Sequence, residues 1–498
     1  MKAIELHLPI LLVLVPLLTA ILSAFCRRGT AGWALAVIGT WCAAAVAWWL
    51  LIKVTATGQP ISYLLGGWQI PIGIEYRVDG LNAFVAALVT SVGAVLMPYA
   101  RRSVAHEIDE HAQAWFYSMY LLCLAGLLGM TVTADAFNVF VFMEISSLAT
   151  YVLIAMGRHR RALLAAYQYL IVGTIGATFY VIGVGFLYLV TGSLNLYDIA
   201  ARLGTAPPEF YRPILAGLGF LTIGICLKLA LFPLHLWLPN AYAYAPTVAT
   251  AFLAGTATKV AVYLLIRIFF SIFGVAFTLK SLPVPEILLI FSIAAMVLTS
   301  LSAAFETNAK RMLAYSSVAQ VGYITLGIAL ANQSGLTGGI VHLFNHAAIK
   351  AALFMSLGAV LYRTGAVDIA SMAGVGRRMP LTMAAFVVAG LGIIGVPGTA
   401  GFISKWYLAF GSLEKGYWPL VFVILASSLI AVVYIGRVVE AAYFREPVGP
   451  TVNAREAPLS MLIPLLFLTA ATIWFGIDTR WSAEVASGIA STLLGGLK

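Results

Sequence analysis

Charge is scarce in this 498-residue sequence: 29 Lys and Arg and 19 Asp and Glu make up 10% of it, against 62% hydrophobic residues. So apolar a composition excludes a soluble globular domain and points to an all-α polytopic membrane protein. Cysteine is scarce too. Cys26, Cys42, Cys123 and Cys226 form no C-x-x-C pair and lie in or beside apolar segments, which argues against Fe–S clusters, zinc sites and a disulfide framework. There is no Gly-rich phosphate loop, nucleotide motif or haem ligand pair, so no cofactor is expected. The formal charge of +10 comes without a long basic run, because most Lys and Arg stand in short loops between apolar segments. Nucleic acid is therefore not an expected partner, and the excess reads as positive-inside loop charge.

What is present is a series of windows close to the roughly 20 residues needed to cross hydrocarbon. They fall at 8–25, 32–52, 81–100, 113–132, 136–156, 163–191, 213–238, 246–271, 285–303, 311–331, 336–361, 381–412, 418–443 and 459–477, about fourteen helices in one membrane domain covering 1–498. The first apolar run ends at Cys26-Arg27-Arg28 without a small-residue cleavage site and reads as a span. Counting Lys and Arg outside the spans gives fifteen on one side and nine on the other. The richer side, with Arg101, Arg102, Lys310 and Arg363 among its members, is placed in the cytoplasm, so both termini are expected outside a cytoplasmic (inner) membrane.

Five basic residues remain inside spans: Lys228, Lys259, Arg267, Lys350 and Lys405. Arg267 stands near a helix end and is expected to snorkel. Lys228 sits in PILAGLGFLTIGICLKLALFPLHLWLPNAYAYAP, where Pro233 and Pro239 break the helix just after it. A buried base beside a helix break is how many transporters build an ion site. Lys405 repeats the arrangement after Gly395-Val396-Pro397-Gly398, at an offset of 177 from Lys228. Ser146-Ser147-x-Ala149 and Ser316-Ser317-x-Ala319 repeat at an offset of 170. The agreement predicts two inverted five-helix repeats, spans 4–8 (113–271) and spans 9–13 (285–443), with spans 7 and 12 broken.

Glu144 is the only acid in the middle of a span, and its natural partner is Lys228. Opposite charge and desolvation pull the two protonation equilibria in opposite directions, so such a pair loads and releases protons as it opens and closes. His342, His346 and Lys350 recur at i, i+4 steps and share one helix face, with Asn345 close by. Imidazole titrates near neutrality and passes a proton between its two nitrogens, which suits a proton wire. A His-based metal site is the competing reading, but no carboxylate or thiolate ligand stands nearby, and no metal is expected. Ten or more mostly apolar residues flank Lys259 on either side, which keeps it from snorkelling. His235, beside the break at Pro233, is a candidate gate together with Pro233 and Pro397. Asp79 and Asp135 read as helix N-terminal acids, and Trp48, Trp49 and Trp68 as an interfacial belt.

Glu144, Lys228 with FPLHLWLP, Lys259 in TKVAVY, the H-x-x-x-H-x-x-x-K stripe and Lys405 in PGTAGFISKW occur in an order that resembles one superfamily. It comprises the antiporter-like, proton-conducting membrane subunits of respiratory complex I, membrane-bound hydrogenases and Mrp-type cation/proton antiporters. Within it, LVTGSLNLYDIA and LPNAYAYAP are most similar to the Mrp antiporter D subunits. The resemblance implies that the Glu, Lys and His residues above form a mid-membrane proton relay. It also implies a noncatalytic subunit of a Na⁺/H⁺ antiporter, or else of a complex I-like or hydrogenase pump, with other membrane subunits as partners and protons and a monovalent cation as cargo. Two positions depart from relatives: Tyr242 stands where complex I subunits often have His, and Gln168 where several relatives have Lys.

Overall fold

The computed structural model describes residues 5–365 and 367–495. In chain order come α1 (Leu8–Ala24), α2 (Gly29–Thr57), a hairpin of β1 (Ile61–Leu64) and β2 (Glu75–Val78), α3 (Gly80–Glu107), α4 (Glu110–Val132), α5 (Ala136–Ala155) and α6 (Arg161–Thr191). The short α7 (Leu196–Leu203) leads to α8 (Tyr211–Leu229), α9 (Trp237–Tyr244), α10 (Thr247–Gly255) and α11 (Ala257–Ile266). Then follow α12 (Val284–Ala294), α13 (Ser300–Phe305), α14 (Ala309–Leu330), α15 (Gln333–Thr364), α16 (Val375–Arg378), α17 (Pro380–Ile394), α18 (Ala400–Glu414), α19 (Pro419–Phe444), α20 (Leu459–Ile477) and α21 (Arg480–Leu494).

Every expected window holds helix, and among the described residues 12 helices are long and apolar enough to cross a membrane. The shortfall from fourteen lies in α1, which has 17 residues, and in the twelfth window, divided into the 15-residue helices α17 and α18. Starts follow the sequence. Asp79 accepts from the Leu81 and Asn82 N–H groups while Asn82 returns a bond to the Asp79 N–H, a capping box opening α3. Asp135, Asn308 and Asn332 cap α5, α14 and α15 more simply, each side chain accepting from the N–H three residues on, of Asn138, Arg311 and Gly335.

Both expected breaks are present and share one geometry. α8 stops at Ala230 in the left-handed region (φ 58), and the Leu231 N–H reaches back to the Cys226 carbonyl at 3.1 Å. α17 stops at Gly395 (φ 86), and the Val396 N–H reaches the Leu391 carbonyl at 3.1 Å. This is the Schellman stop, with proline shortly beyond. A third break was not expected. Window 246–271 reads as continuous, yet Thr256 leaves the helical region (φ −127, ψ −59) and separates α10 from α11.

The breaks position the interior. The α10–α11 pair, α14 and α15 are almost wholly buried, whereas fewer than half of the residues are buried in the apolar windows of α2, α6, α8, α12, α19 and α20. Three further observations correct the sequence reading. The loop after α2 forms an antiparallel hairpin pairing Ile61 with Val78, whose Glu75 is buried and bonded to Ser62 at 2.6 Å and Asn195 at 3.0 Å. Lys310 is a buried residue donating to the Ala245 carbonyl at 3.3 Å, not a loop charge. Arg267 does not snorkel. It is buried in a bidentate ion pair with Asp79 at 2.8 and 2.9 Å, because a fixed guanidinium fork satisfies the α3 cap better than lipid headgroups would.

Candidate functional site

Lys228 occupies the last turn of α8, where the unpaired carbonyls of a broken helix favour a cation. Its ammonium donates to Ser147 Oγ at 2.5 Å and lies 4.0 Å from Glu144 Oε1, both on α5. The Tyr169 ring lies 5.9 Å away and stacks on Trp237 at 3.8 Å, and Trp237 donates to the Leu227 carbonyl at 3.0 Å, closing the broken end. Thus the sequence FPLHLWLP supplies both the break and its lid. A cavity of about 30 Å³ borders Ser147, Lys228, Ala257 and Ala261, joining this pair to α11. That is room for water.

Lys259, 1% exposed, explains the third break: its ammonium donates to the Ala254 carbonyl at 2.5 Å, freed where the helix parts at Thr256, and to Thr258 at 3.4 Å. On α15 the expected stripe faces α14. The His342 and His346 rings stack at 5.8 Å with 6° between planes. His342 bonds Ser404 through Nδ1 at 2.7 Å and Gln320 through Nε2 at 2.9 Å, while Lys350 donates to the Leu313 carbonyl at 2.8 Å and Ser316 at 2.9 Å. Both ring nitrogens of buried His346 lack a hydrogen-bond partner among the described residues. Asn345 donates to the Ala400 carbonyl at 2.7 Å and so fastens the stripe to the α17–α18 break.

Lys405 lies on α18 yet folds back over that break. Its ammonium donates to the Ile393 and Ile394 carbonyls at 2.8 and 3.0 Å and to Ser428 at 2.8 Å, with the Tyr323 ring 4.6 Å away. His235 is buried against Phe232, its Nδ1 unpartnered among the described residues. Pro233 and Pro397 stand in the two interruptions as expected.

The structure therefore brings the predicted residues into one succession. Lys228 touches Glu144; Gly255, at the break that Lys259 closes, lies against the Ala347 carbonyl of the stripe; and the Tyr323 ring lies 5.5 Å from the His342 ring and 4.6 Å from the Lys405 ammonium. Ser404, Ser428 and Gln320 are ammonium and imidazole partners that sequence reasoning did not single out, whereas Ser147 and Ser316, the partners of Lys228 and Lys350, stand in the serine pairs that marked the repeat. Single hydroxyls in apolar helices carry little signal, but Gln320 in SVAQVGY is a polar group large enough to have been noticed.

Interrupted helices whose freed carbonyls hold buried lysines define an antiporter-like ion-translocating membrane protein. Residues 133–431 match the family described as NADH:quinone oxidoreductase/Mrp antiporter, TM, and the chain belongs to it. It is 42% identical to the N subunit of the NADH-quinone oxidoreductase of Desulforudis audaxviator over 95% of this chain and 96% of that one. It is 28% identical to the D subunit of the Na(+)/H(+) antiporter of Bacillus subtilis over 97% of each chain. Its fold matches a chain of the Mrp complex from Dietzia sp. DQ12-45-1b with a TM-score of 0.89 at 24% identity, covering 99% of this chain and 98% of that one.

Proposed function

We propose that this chain is the proton-carrying subunit of a multisubunit monovalent cation/proton antiporter in a cytoplasmic membrane. The observation that carries the reading is the succession Glu144, Lys228, Lys259, Lys350 with His346 and His342, then Lys405. Apart from the looser Glu144 contact, its ammoniums rest on carbonyl and hydroxyl oxygens, which accept a hydrogen bond but impose no fixed counter-charge. A proton loaded at the Glu144–Lys228 pair favours proton release from the next base by charge repulsion. His342 and His346 pass it by tautomer exchange, and Lys405 releases it. His235 gates the path at the first break, with Pro233 and Pro397 keeping the two interruptions open. The shared Schellman stop before Pro233 and Pro397 supports residues 113–271 and 285–443 as inverted repeats, and the loop charges support both termini lying outside.

A second reading, the proton-pumping subunit of a redox-driven complex, is favoured by the 42% identity to an oxidoreductase N subunit and uses the same residues. Inside-out vesicles holding the assembled complex separate them. Collapse of an imposed pH gradient on adding Na⁺ or K⁺ is expected. Proton uptake that needs a reductant and quinone and ignores the cation would overturn the antiporter in favour of the pump.

A further inference from the structure

A cavity of about 610 Å³ opens away from the relay, where the start of α2 meets the last turns of α3. Its volume lies within the roughly 300–1,000 Å³ of small-molecule sites. Arg101, Arg102 and His106 of α3, Gly29 of α2, Tyr117 of α4 and Ser460 of α20 face it. Among the described residues neither arginine has a carboxylate within ion-pair distance; Arg101 instead lies over the Trp33 ring at 5.0 Å. α2 begins with no side-chain cap and no acid in its first turn, so its free N–H groups add positive potential. Ser460 Oγ is buried without a partner among the described residues. Two unpaired guanidiniums, an uncapped helix start and an unused hydroxyl around one cavity form a receptor for a phosphate group.

The apolar surroundings decide which phosphate. Leu459, Ile463 and Phe467 recur at i, i+4, i+8 on α20, each more than 60% exposed, and run from the cavity down the helix. A free phosphate has no use for that strip, whereas acyl chains lie along it. We propose that this cavity binds the headgroup of an anionic phospholipid. Its phosphate is held by Arg101, Arg102 and the α2 N-terminus, its hydroxyl-bearing headgroup by Ser460 and Tyr117, and its chains by the α20 strip. The basic set to which Arg101 and Arg102 belong puts the site in the leaflet whose anionic lipids such patches attract.

The test is native mass spectrometry of the assembled complex, delipidated and then titrated with phosphatidylglycerol, phosphatidylcholine or inorganic phosphate. Phosphatidylglycerol should be retained at one site per chain, and the double variant Arg101→Gln, Arg102→Gln should weaken retention by at least about tenfold. Ser460→Phe fills the cavity with the arginines intact and should have the same effect, so the proposal stays testable if the double variant does not assemble. Equal retention of phosphatidylcholine, retention unchanged in a variant that assembles, or displacement by inorganic phosphate at concentrations near those of the lipid would each overturn it.

Discussion

The Glu144 carboxylate stops 4.0 Å from the Lys228 ammonium, whose short hydrogen bond of 2.5 Å goes to Ser147 instead. The acid is held beside the base without being locked to it, and its Oε1 has no hydrogen-bond partner among the described residues. Small movements of α5 against α8 therefore change the coupling, as a loading site requires. Glu144→Ala and Lys228→Ala should each abolish proton flux in vesicles while the complex still assembles. Ser147→Ala should slow it about tenfold or more, the worth of one hydrogen bond to a charged group. Normal flux in both alanine variants of the pair would remove it from the mechanism.

Lys405 tests whether the last base gives up its proton. Lys405→Arg keeps a cation able to reach the Ile393 and Ile394 carbonyls, but a guanidinium holds its proton at any physiological pH. Flux should fall nearly as far in the arginine variant as in Lys405→Ala. If the arginine variant transports at the native rate, Lys405 is a fixed charge and the releasing group lies elsewhere.

The Asp79–Arg267 pair makes a pH prediction for stability. Burial alone would raise the Asp79 carboxyl, but the Arg267 guanidinium and the Leu81 and Asn82 N–H groups outweigh it and hold the carboxyl below its usual value. Stability from a depressed carboxyl is complete above the ordinary carboxylate value of about 4 and is lost as the pH falls through the depressed one. Thermal unfolding in detergent should therefore show an acid-labile step that Asp79→Asn removes. The same substitution should lower stability by about 3 kcal/mol at neutral pH, because Arg267 is left buried without its partner. An unchanged acid profile in Asp79→Asn would assign the step to other carboxyls.

These residues also show what the sequence could and could not tell. Helix number, the two proline-marked breaks and the i, i+4 stripe from His342 to Lys350 are local patterns, and local patterns survive folding. The break at Thr256 is not local in that sense. Gly255-Thr256 is ordinary in an apolar helix, and only the Lys259 ammonium taking the Ala254 carbonyl reveals why the helix parts there. Arg267 is misread from sequence because its partner stands 188 positions away. Ser428 escapes notice for the same reason: it matters only because α19 lies against the folded-back Lys405.

On the proposed function the proton path starts at Glu144, at the chain's own surface, which predicts that the chain does not exchange ions alone. The Glu144 side chain is 25% exposed and shares the outward side of α5 with Val141, Leu148 and Val152. On the proposed function, a neighbouring subunit that covers this carboxylate changes its charge environment. Among the described residues no three His, Cys, Asp or Glu come together. A dehydrated Na⁺ prefers several oxygen ligands, as other hard cations do. On the proposed antiporter reading the cation crosses wholly or partly through partners, coupled to this chain by charge. In a strain stripped of its own antiporters, this chain expressed alone should confer no sodium resistance, and its vesicles should show no cation-dependent collapse of a pH gradient. Co-expression with its partners should restore both. Robust exchange by the chain alone would place the cation path inside it and end this account of the division of labour.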